Sequence, residues 1–313
     1  MKDWDGLVAG GHVRAGVELS RLTTYKLGGP ARWFCEPSSL EDLRSVAVAA
    51  RARGIELVVM GRGSNLVISD EGYSGLVIRL GAGFRKVEVD PESRIVRAGA
   101  AVSLPVLARR MAGEAWSGLE FYVGIPGSVG GAVRMNAGFF GVETVDVIRS
   151  ASILNAGSGS VAERAADRLG LGYRTSNLGP DEVVLDASFS VRGGDRDRIA
   201  ALMREAIRWR RDHQPGGTLN AGSVFRNPPG DSAGRIIDAL GLKGMRRGGA
   251  HVSQKHANFF VVDPGGTAQD VFGLVWDVRQ LVLDRTGILL EPEVRFIGFP
   301  RDGMGRPRRG NQD

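Results

Sequence analysis

Two glycine-bearing segments of this 313-residue chain have the make-up of anion sites built from backbone. The first, Gly61, Arg62, Gly63, Ser64, Asn65 and Leu66, directly follows the apolar run at residues 55–60. Glycine admits positive φ and lets a ligand approach the main chain. Such a turn can aim N–H groups at a phosphate, with the Ser64 hydroxyl and the Asn65 amide beside them. It is not a dinucleotide fingerprint, because the third glycine and the following helix are missing, and no Gly-Lys-Ser/Thr makes it a Walker loop. Alone it reads equally well as an ordinary turn. The second segment runs through Gly124, Ile125, Pro126, Gly127, Ser128, Gly130 and Gly131 to Asn136, Ala137 and Gly138. Its five glycines exceed what a turn needs, and it is read as a loop whose backbone lies against a diphosphate and a flat ring. Asn136 adds an amide able to donate and accept along a heterocycle edge.

Other chemistries are excluded by what is missing. The four histidines are His12, His213, His251 and His256, and no Gly-x-Ser-x-Gly elbow surrounds Ser223, so a hydrolase triad has no footing. The single cysteine, Cys35, rules out an internal disulfide and a cysteine-built metal site, and reads as a small core residue; no metal is expected. Net charge is +6, but several of the positive charges fall in the last residues, a basic tail without apolar periodicity that reads as disordered. No basic stripe interleaved with aromatics remains, so nucleic acid is not an expected partner. No apolar stretch approaches the ~20 residues of a membrane span, and acids precede any apolar run at the N-terminus. A cytoplasmic protein is expected. The sequence does not give the oligomeric state; a monomer is the working expectation.

The elements that must position these segments alternate between helix and strand. Ser39 caps a helix with Asp42 at its third position and Leu40, Leu43, Val46, Ala47 and Ala50 at helical spacing, and Gly54 closes it. A buried strand over 55–60 then delivers the chain into Gly61, at a strand's carboxyl end where ligands of α/β folds bind. Short strands are expected at 75–80, 86–90, 95–98 and 183–191, helices at 104–111 and 197–211, and only a weak helical signal before residue 25. The amphipathic helix at 197–211 carries Ile199, Leu202, Met203, Ala206, Ile207 and Trp209 on its flank. Residues 214–217 mark a boundary. Beyond it lie a helix near 233–240, a strand near 258–262, a helix at 270–285 with Thr267 as cap and Gly287 past its end, and a last strand over 288–297. A period of two on that strand puts Glu291, Glu293 and Arg295 on one face.

With Thr23-Thr-Tyr-Lys-Leu-Gly-Gly-Pro-Ala31 upstream of both glycine segments, the chain resembles the UDP-N-acetylenolpyruvoylglucosamine reductase family from about residue 20 to 298. Gly172-Tyr-Arg-Thr-Ser176, Asn220-Ala-Gly-Ser-Val-Phe-Arg-Asn-Pro228, the run from His251 to Phe259, and Leu290-Glu-Pro-Glu-Val-Arg-Phe-Ile-Gly298 match in order. The resemblance implies an α/β (α+β mixed) vanillyl-alcohol-oxidase-type FAD-binding fold. It would comprise two α/β subdomains, residues 1–80 and 81–213, a C-terminal α/β substrate domain at 214–298, and the basic tail at 299–313. It implies noncovalent FAD, NADPH as hydride donor and a UDP-sugar substrate. The enolpyruvyl ether would take hydride at its terminal carbon and a proton at the adjacent one. No histidine lies between His12 and His213, so the covalent flavin anchor expected of an oxidase of the same fold has no candidate besides Cys35.

Residue by residue, the resemblance gives Arg174 to the substrate carboxylate, which must accept electron density for the hydride to add. It makes Ser223 the proton donor and Glu293 an acid that polarises the carboxylate or shares in proton movement. Lys243, Arg246, Lys255 and His256 form a cationic cluster in sequence, which suits a UDP diphosphate, and the resemblance implies that Asn258, in the same block, also binds substrate. Two positions depart from the family: Lys26 stands where arginine is common, and Phe259-Phe-Val-Val262 lacks the family's asparagine. The chain also lacks a tyrosine-bearing insertion after residues 186–191, and so resembles the shorter subgroup.

Overall fold

The computed structural model describes residues 3–300. Residues 301–313, with most of the basic tail, lie outside the described residues. By contacts the chain divides into two compact units, and neither is continuous in sequence. One takes in 1–15, 33–62 and 75–210; the other takes in 16–32, 63–74 and 211–313.

The first unit is organised by a five-stranded antiparallel sheet. Its strand order is Val161–Ala165, Ile148–Asn155, Glu182–Ser190, Ile95–Gly99, Val87–Asp90. At its centre Ala187 faces Ala98 on one side and Ala151 on the other, and all three are buried. Small side chains there let the helix Val129–Met135 approach the strand ends, where Gly130 N donates to Ala100 O at 3.0 Å and Val129 N to Val102 O at 3.0 Å. A Cβ on Gly130 would lie 3.0 Å from that of Ala100. The helix Leu40–Ala52 starts as the local signals require, with the Ser39 side chain accepting from Asp42 N and Gly54 at φ +67°. The strand Leu57–Val59 pairs in parallel with Tyr73–Ile78. Cys35 sits in this core, and burial pushes its thiol up to about 12.

In the second unit three antiparallel strands, Arg246–Arg247, Ala250–Val252 and Phe260–Val262, accompany the helices Ala233–Ala239 and Ala268–Thr286. Leu66–Ile68 pairs in parallel with Arg295–Ile297. The core gathers Tyr25, Val67, Phe225, Phe260, Phe272 and Phe296, and the Tyr25 hydroxyl donates to Phe260 O at 2.9 Å. Thr267 and Asp270 form the expected capping box, and Gly287 ends the helix at φ +72°. Asp70 adds a second cap from far away in sequence: Ala268 N and Gln269 N donate to its two carboxylate oxygens at 3.0 and 2.9 Å.

Three local expectations differ from the structure. The glycine segment at 124–138 is not all loop. Ser128 caps the helix Val129–Met135, whose Val129, Ala132 and Val133 are buried, and that burial outweighs the poor helix propensity of two glycines. The last strand is only Arg295–Ile297. Upstream, Pro292 offers no N–H, and Glu293 N and Val294 N both reach Val224 O, at 2.7 and 3.4 Å, so regular ladder pairing begins only at Arg295. Val294 and Phe296 still face the core, and Glu291 and Arg295 are exposed. On the helix Arg196–His213 the buried stripe is Ile199, Met203 and Ala206, whereas Leu202 and Ile207 are exposed. The weak signal before residue 25 resolves into a helix, Trp4–Ala9, and a strand, Arg14–Glu18.

Among the described residues no helix is long and apolar enough to cross a membrane, and no cluster of three His, Cys, Asp or Glu side chains is placed to hold a metal. Replacing Asp70 with alanine should cost about 1–2 kcal/mol, the usual worth of an N-cap, read as a lower urea midpoint. An unchanged midpoint would mean that the Thr267–Asp270 box alone satisfies the helix start.

Candidate active site

In the first unit a cavity of about 540 Å³ opens beside both glycine segments. Gly61, Arg62, Ser128, Gly130 and Gly131 line it, as expected of cofactor-contacting residues. Sequence reading missed the rest of its charge: Arg79, Arg85, Arg110 and Arg134 also line it, against one carboxylate, Glu182. Glu182 is itself engaged by Arg164, whose guanidinium beside it holds its carboxyl below the ordinary value. Arg134 is fixed by carbonyls, Gly179 O at 3.0 Å and Glu182 O at 2.7 Å. Only Arg134, embedded in the glycine segment, had a local signal. The floor is tight: a Cβ on Gly61 would stand 2.5 Å from the Ser128 hydroxyl oxygen.

The remaining residues of the two glycine segments are variously placed. Gly63, Ser64, Asn65 and Leu66 fall in the second unit, and a Cβ on Gly63 would meet Leu22 O at 2.3 Å. Gly124 is packed under the Phe139 ring. Ile125, Pro126, Gly127, Ala137 and Gly138 are not among the cavity lining. Asn136 is fully buried and both its amide hydrogens are used within the protein, on Glu143 Oε2 at 2.8 Å and Gly172 O at 3.0 Å. Its side chain therefore has no hydrogen left for a heterocycle edge.

Arg174 stands on a tight turn in the same unit, closed by reciprocal main-chain bonds between Gly172 and Thr175 at 3.2 and 3.1 Å. It is no solvated surface arginine: its side chain is 19% exposed and its Nη1 donates to Glu143 Oε1 at 2.9 Å.

The second unit brings Ser223 and Glu293 onto neighbouring main chain. Ser223 faces Phe259 in an isolated bridge, Val224 N donates to Asn258 O at 2.8 Å, and Val224 O accepts Glu293 N. Asn65 joins them, its amide donating to Glu293 O at 3.1 Å and its carbonyl accepting Arg295 N at 3.0 Å. Buried Asn258 is a staple: Oδ1 accepts Phe225 N at 2.9 Å and Nδ2 donates to Phe225 O at 2.8 Å. The basic cluster is less unified than its sequence spacing. Lys243 pairs with Asp238, Arg246 with Asp263, and Lys255 reaches Arg211 O. His256 accepts Asn258 N on Nδ1 at 3.2 Å, and burial, with Lys243 nearby, lowers its pKa, which favours the neutral ring.

Comparison with known proteins bears on this arrangement directly. The profile of the FAD binding domain matches residues 31–163, and that of the UDP-N-acetylenolpyruvoylglucosamine reductase C-terminal domain matches 214–297. The reductase of Rubrobacter xylanophilus is 44% identical over 90% of this chain and 94% of its own. That of Acidiphilium cryptum is 41% identical over 97% of each. The chain belongs to the UDP-N-acetylenolpyruvoylglucosamine reductase family. A solved reductase from Thermus caldophilus, 34% identical, superposes with a TM-score of 0.78 over 91% of this chain and 98% of its own.

The resemblance read from the sequence blocks is thus borne out, and with it the α/β fold carrying an FAD-binding domain and an FAD-dependent oxidoreductase. The cavity suits that cofactor. Glycines at its floor admit close backbone contact, and its arginines answer the charge of a diphosphate. In this reductase Gly61→Ala should displace Ser128 and lower flavin retention, measured as flavin absorbance per mole of protein after gel filtration. Full retention would show that the floor relaxes around the methyl group.

Proposed function

We propose that the chain reduces the enolpyruvyl ether of UDP-N-acetylglucosamine to UDP-N-acetylmuramate, in the cytoplasmic synthesis of peptidoglycan precursor, with NADPH as hydride donor. The similarity to the reductases of Rubrobacter xylanophilus and Acidiphilium cryptum over 90% or more of the chain supports the substrate. The observation that carries the reading is the pairing of the Ser223 and Glu293 segments through Val224 O, which holds a proton donor and a carboxyl group on adjacent main chain.

FAD, when bound, supplies the hydride to the terminal carbon of the enolpyruvyl group. The chain's own residues do the rest. Arg174 receives the substrate carboxylate as negative charge builds on it, where a planar guanidinium fork matches two oxygens. Ser223 delivers the proton to the carbon beside that carboxylate, and Glu293 polarises the carboxylate or passes protons to the serine. Lys243, Lys255, His256 and Asn258 serve the substrate, the first three at the UDP diphosphate, and the Asn258 side chain also ties down the backbone of Phe225, two residues from Ser223. In this reading residues 1–80 and 81–213 form the cofactor subdomains, 214–298 the substrate domain, and the enzyme acts as a monomer.

Purified protein should be yellow, bleached by NADPH under anaerobic conditions and recoloured by the enolpyruvyl substrate. A colourless protein that FAD does not reconstitute would sink the proposal. Ser223→Ala should keep bleaching by NADPH and lose about 10²–10⁴-fold in the rate of recolouring, the usual worth of a positioned proton donor. If both half-reactions run at the native rate, the proton comes from another group.

A further inference from the structure

The Asn136 and Glu143 side chains have no part in the chemistry above, yet together they hold Arg174 at two places. A helix C-cap in the left-handed region asks only for glycine or asparagine, and Asn136 has φ +42°. Its side chain does more than cap. One amide hydrogen bonds Gly172 O at 3.0 Å, which holds the turn carrying Arg174, and Oδ1 accepts Val145 N at 2.9 Å. The other hydrogen bonds Glu143 Oε2 at 2.8 Å, and Glu143 Oε1 takes the Arg174 guanidinium at 2.9 Å. Asn136 O and Gly138 O flank the same guanidinium at 3.4 and 3.3 Å.

These acceptors sit on a braced segment. Thr144 bonds Ala137 O through both its N–H and its hydroxyl, Tyr122 meets that hydroxyl at 3.0 Å, and Glu143 N is held by Asp146 at 2.8 Å. Arg174 itself has φ +55°, a conformation that a non-glycine residue keeps only when its surroundings impose it.

We propose that Glu143 and Asn136 are positioning residues that set the orientation of the Arg174 guanidinium for the substrate carboxylate. The inference rests on the reading of Arg174 as the carboxylate's partner. An arginine left to its own rotamers must be ordered when substrate arrives, and one held by a relay anchored on buried Asn136 is ordered beforehand. The relay needs a carboxylate. Glu143 offers one oxygen to each of two donors, whereas glutamine would turn its own N–H₂ group toward one of them. Glu143 also offsets the arginine's charge, so its removal leaves the site more positive toward an anionic substrate.

Glu143→Gln should therefore slow flavin reoxidation by the enolpyruvyl substrate about 10–100-fold, the worth of a hydrogen bond to a charged group. Reduction by NADPH should be unchanged. KM, and the affinity of the oxidised protein for substrate by calorimetry, should stay level or tighten. Glu143→Asp should recover part of the lost rate, and Asn136→Gly, which keeps the left-handed cap, should show the same selective loss. A native reoxidation rate in Glu143→Gln overturns the proposal. So does an equal fall in both half-reactions together with a lower melting midpoint, since that is the signature of general structural damage. Arg174→Lys separates the two levels. If it leaves reoxidation intact, the reading of Arg174 fails and this inference falls with it. If it slows reoxidation while Glu143→Gln does not, the inference alone fails.

Discussion

Main chain packed against main chain, at distances with no room for a Cβ, is the constraint on which both units are built. A methyl group on Gly83 would lie 1.8 Å from Ser38 O, and one on Gly72 would lie 1.9 Å from Pro30 O. Side chains close in on two others: Gly61 leaves room only for the Ser128 hydroxyl, and Gly130 for the Ala100 methyl. The chain's 46 glycines, roughly double the ~7% usual share, therefore answer two demands. Some line the cavity. Others let segments close on one another, so that the helix Val129–Met135 sits hard on the end of the sheet and its Ser128 cap faces Gly61.

On that frame, charge is placed by carbonyls and carboxylates within the protein. Arg134 is tied to carbonyls and Arg174 to Glu143, and both guanidinium groups are thereby held in one orientation. Holding costs side-chain entropy once, during folding, where a free surface arginine would meet that cost with each substrate. The second unit uses the same device with neutral groups. Asn258 satisfies both partners of Phe225, Asn65 ties to Glu293, and the Ser223 segment is clamped between them. The buried carboxamide of Asn258 is bonded to main chain, as burial of a polar group requires.

What was legible in the sequence had short-range causes. The Ser39–Asp42 and Thr267–Asp270 caps, the left-handed Gly54 and Gly287, and the existence of the helix Arg196–His213 follow from neighbours within a turn or two. Periodicity failed where partners were distant. The strand expected over 288–297 is cut to its last residues where Glu293 and Val294 share Val224 O, and part of the loop expected at 124–138 becomes the helix Val129–Met135 once Val129 and Val133 are buried. Of the proposed site, the family motifs carried Arg174, Ser223 and Glu293. Nothing local could have shown that Arg79 and Arg85 face one cavity, or that Asp70 caps a helix starting at Ala268.

The sequence by itself determined the chemistry available and most of the helices, because residue types, caps and apolar periods act over a few residues. It also determined the family, because ordered blocks of motif are a property of the string. Only the tertiary structure decided which residues keep company. It joined residues 16–32 and 63–74 to the C-terminal unit, split the segment from Gly61 to Leu66 between two units, and turned Asn136 from a ring-facing amide into a clamp on the turn that bears Arg174. Those outcomes depend on hydrogen bonds between groups tens to hundreds of residues apart. Whether a donor is spent or available is settled only when its distant acceptor arrives.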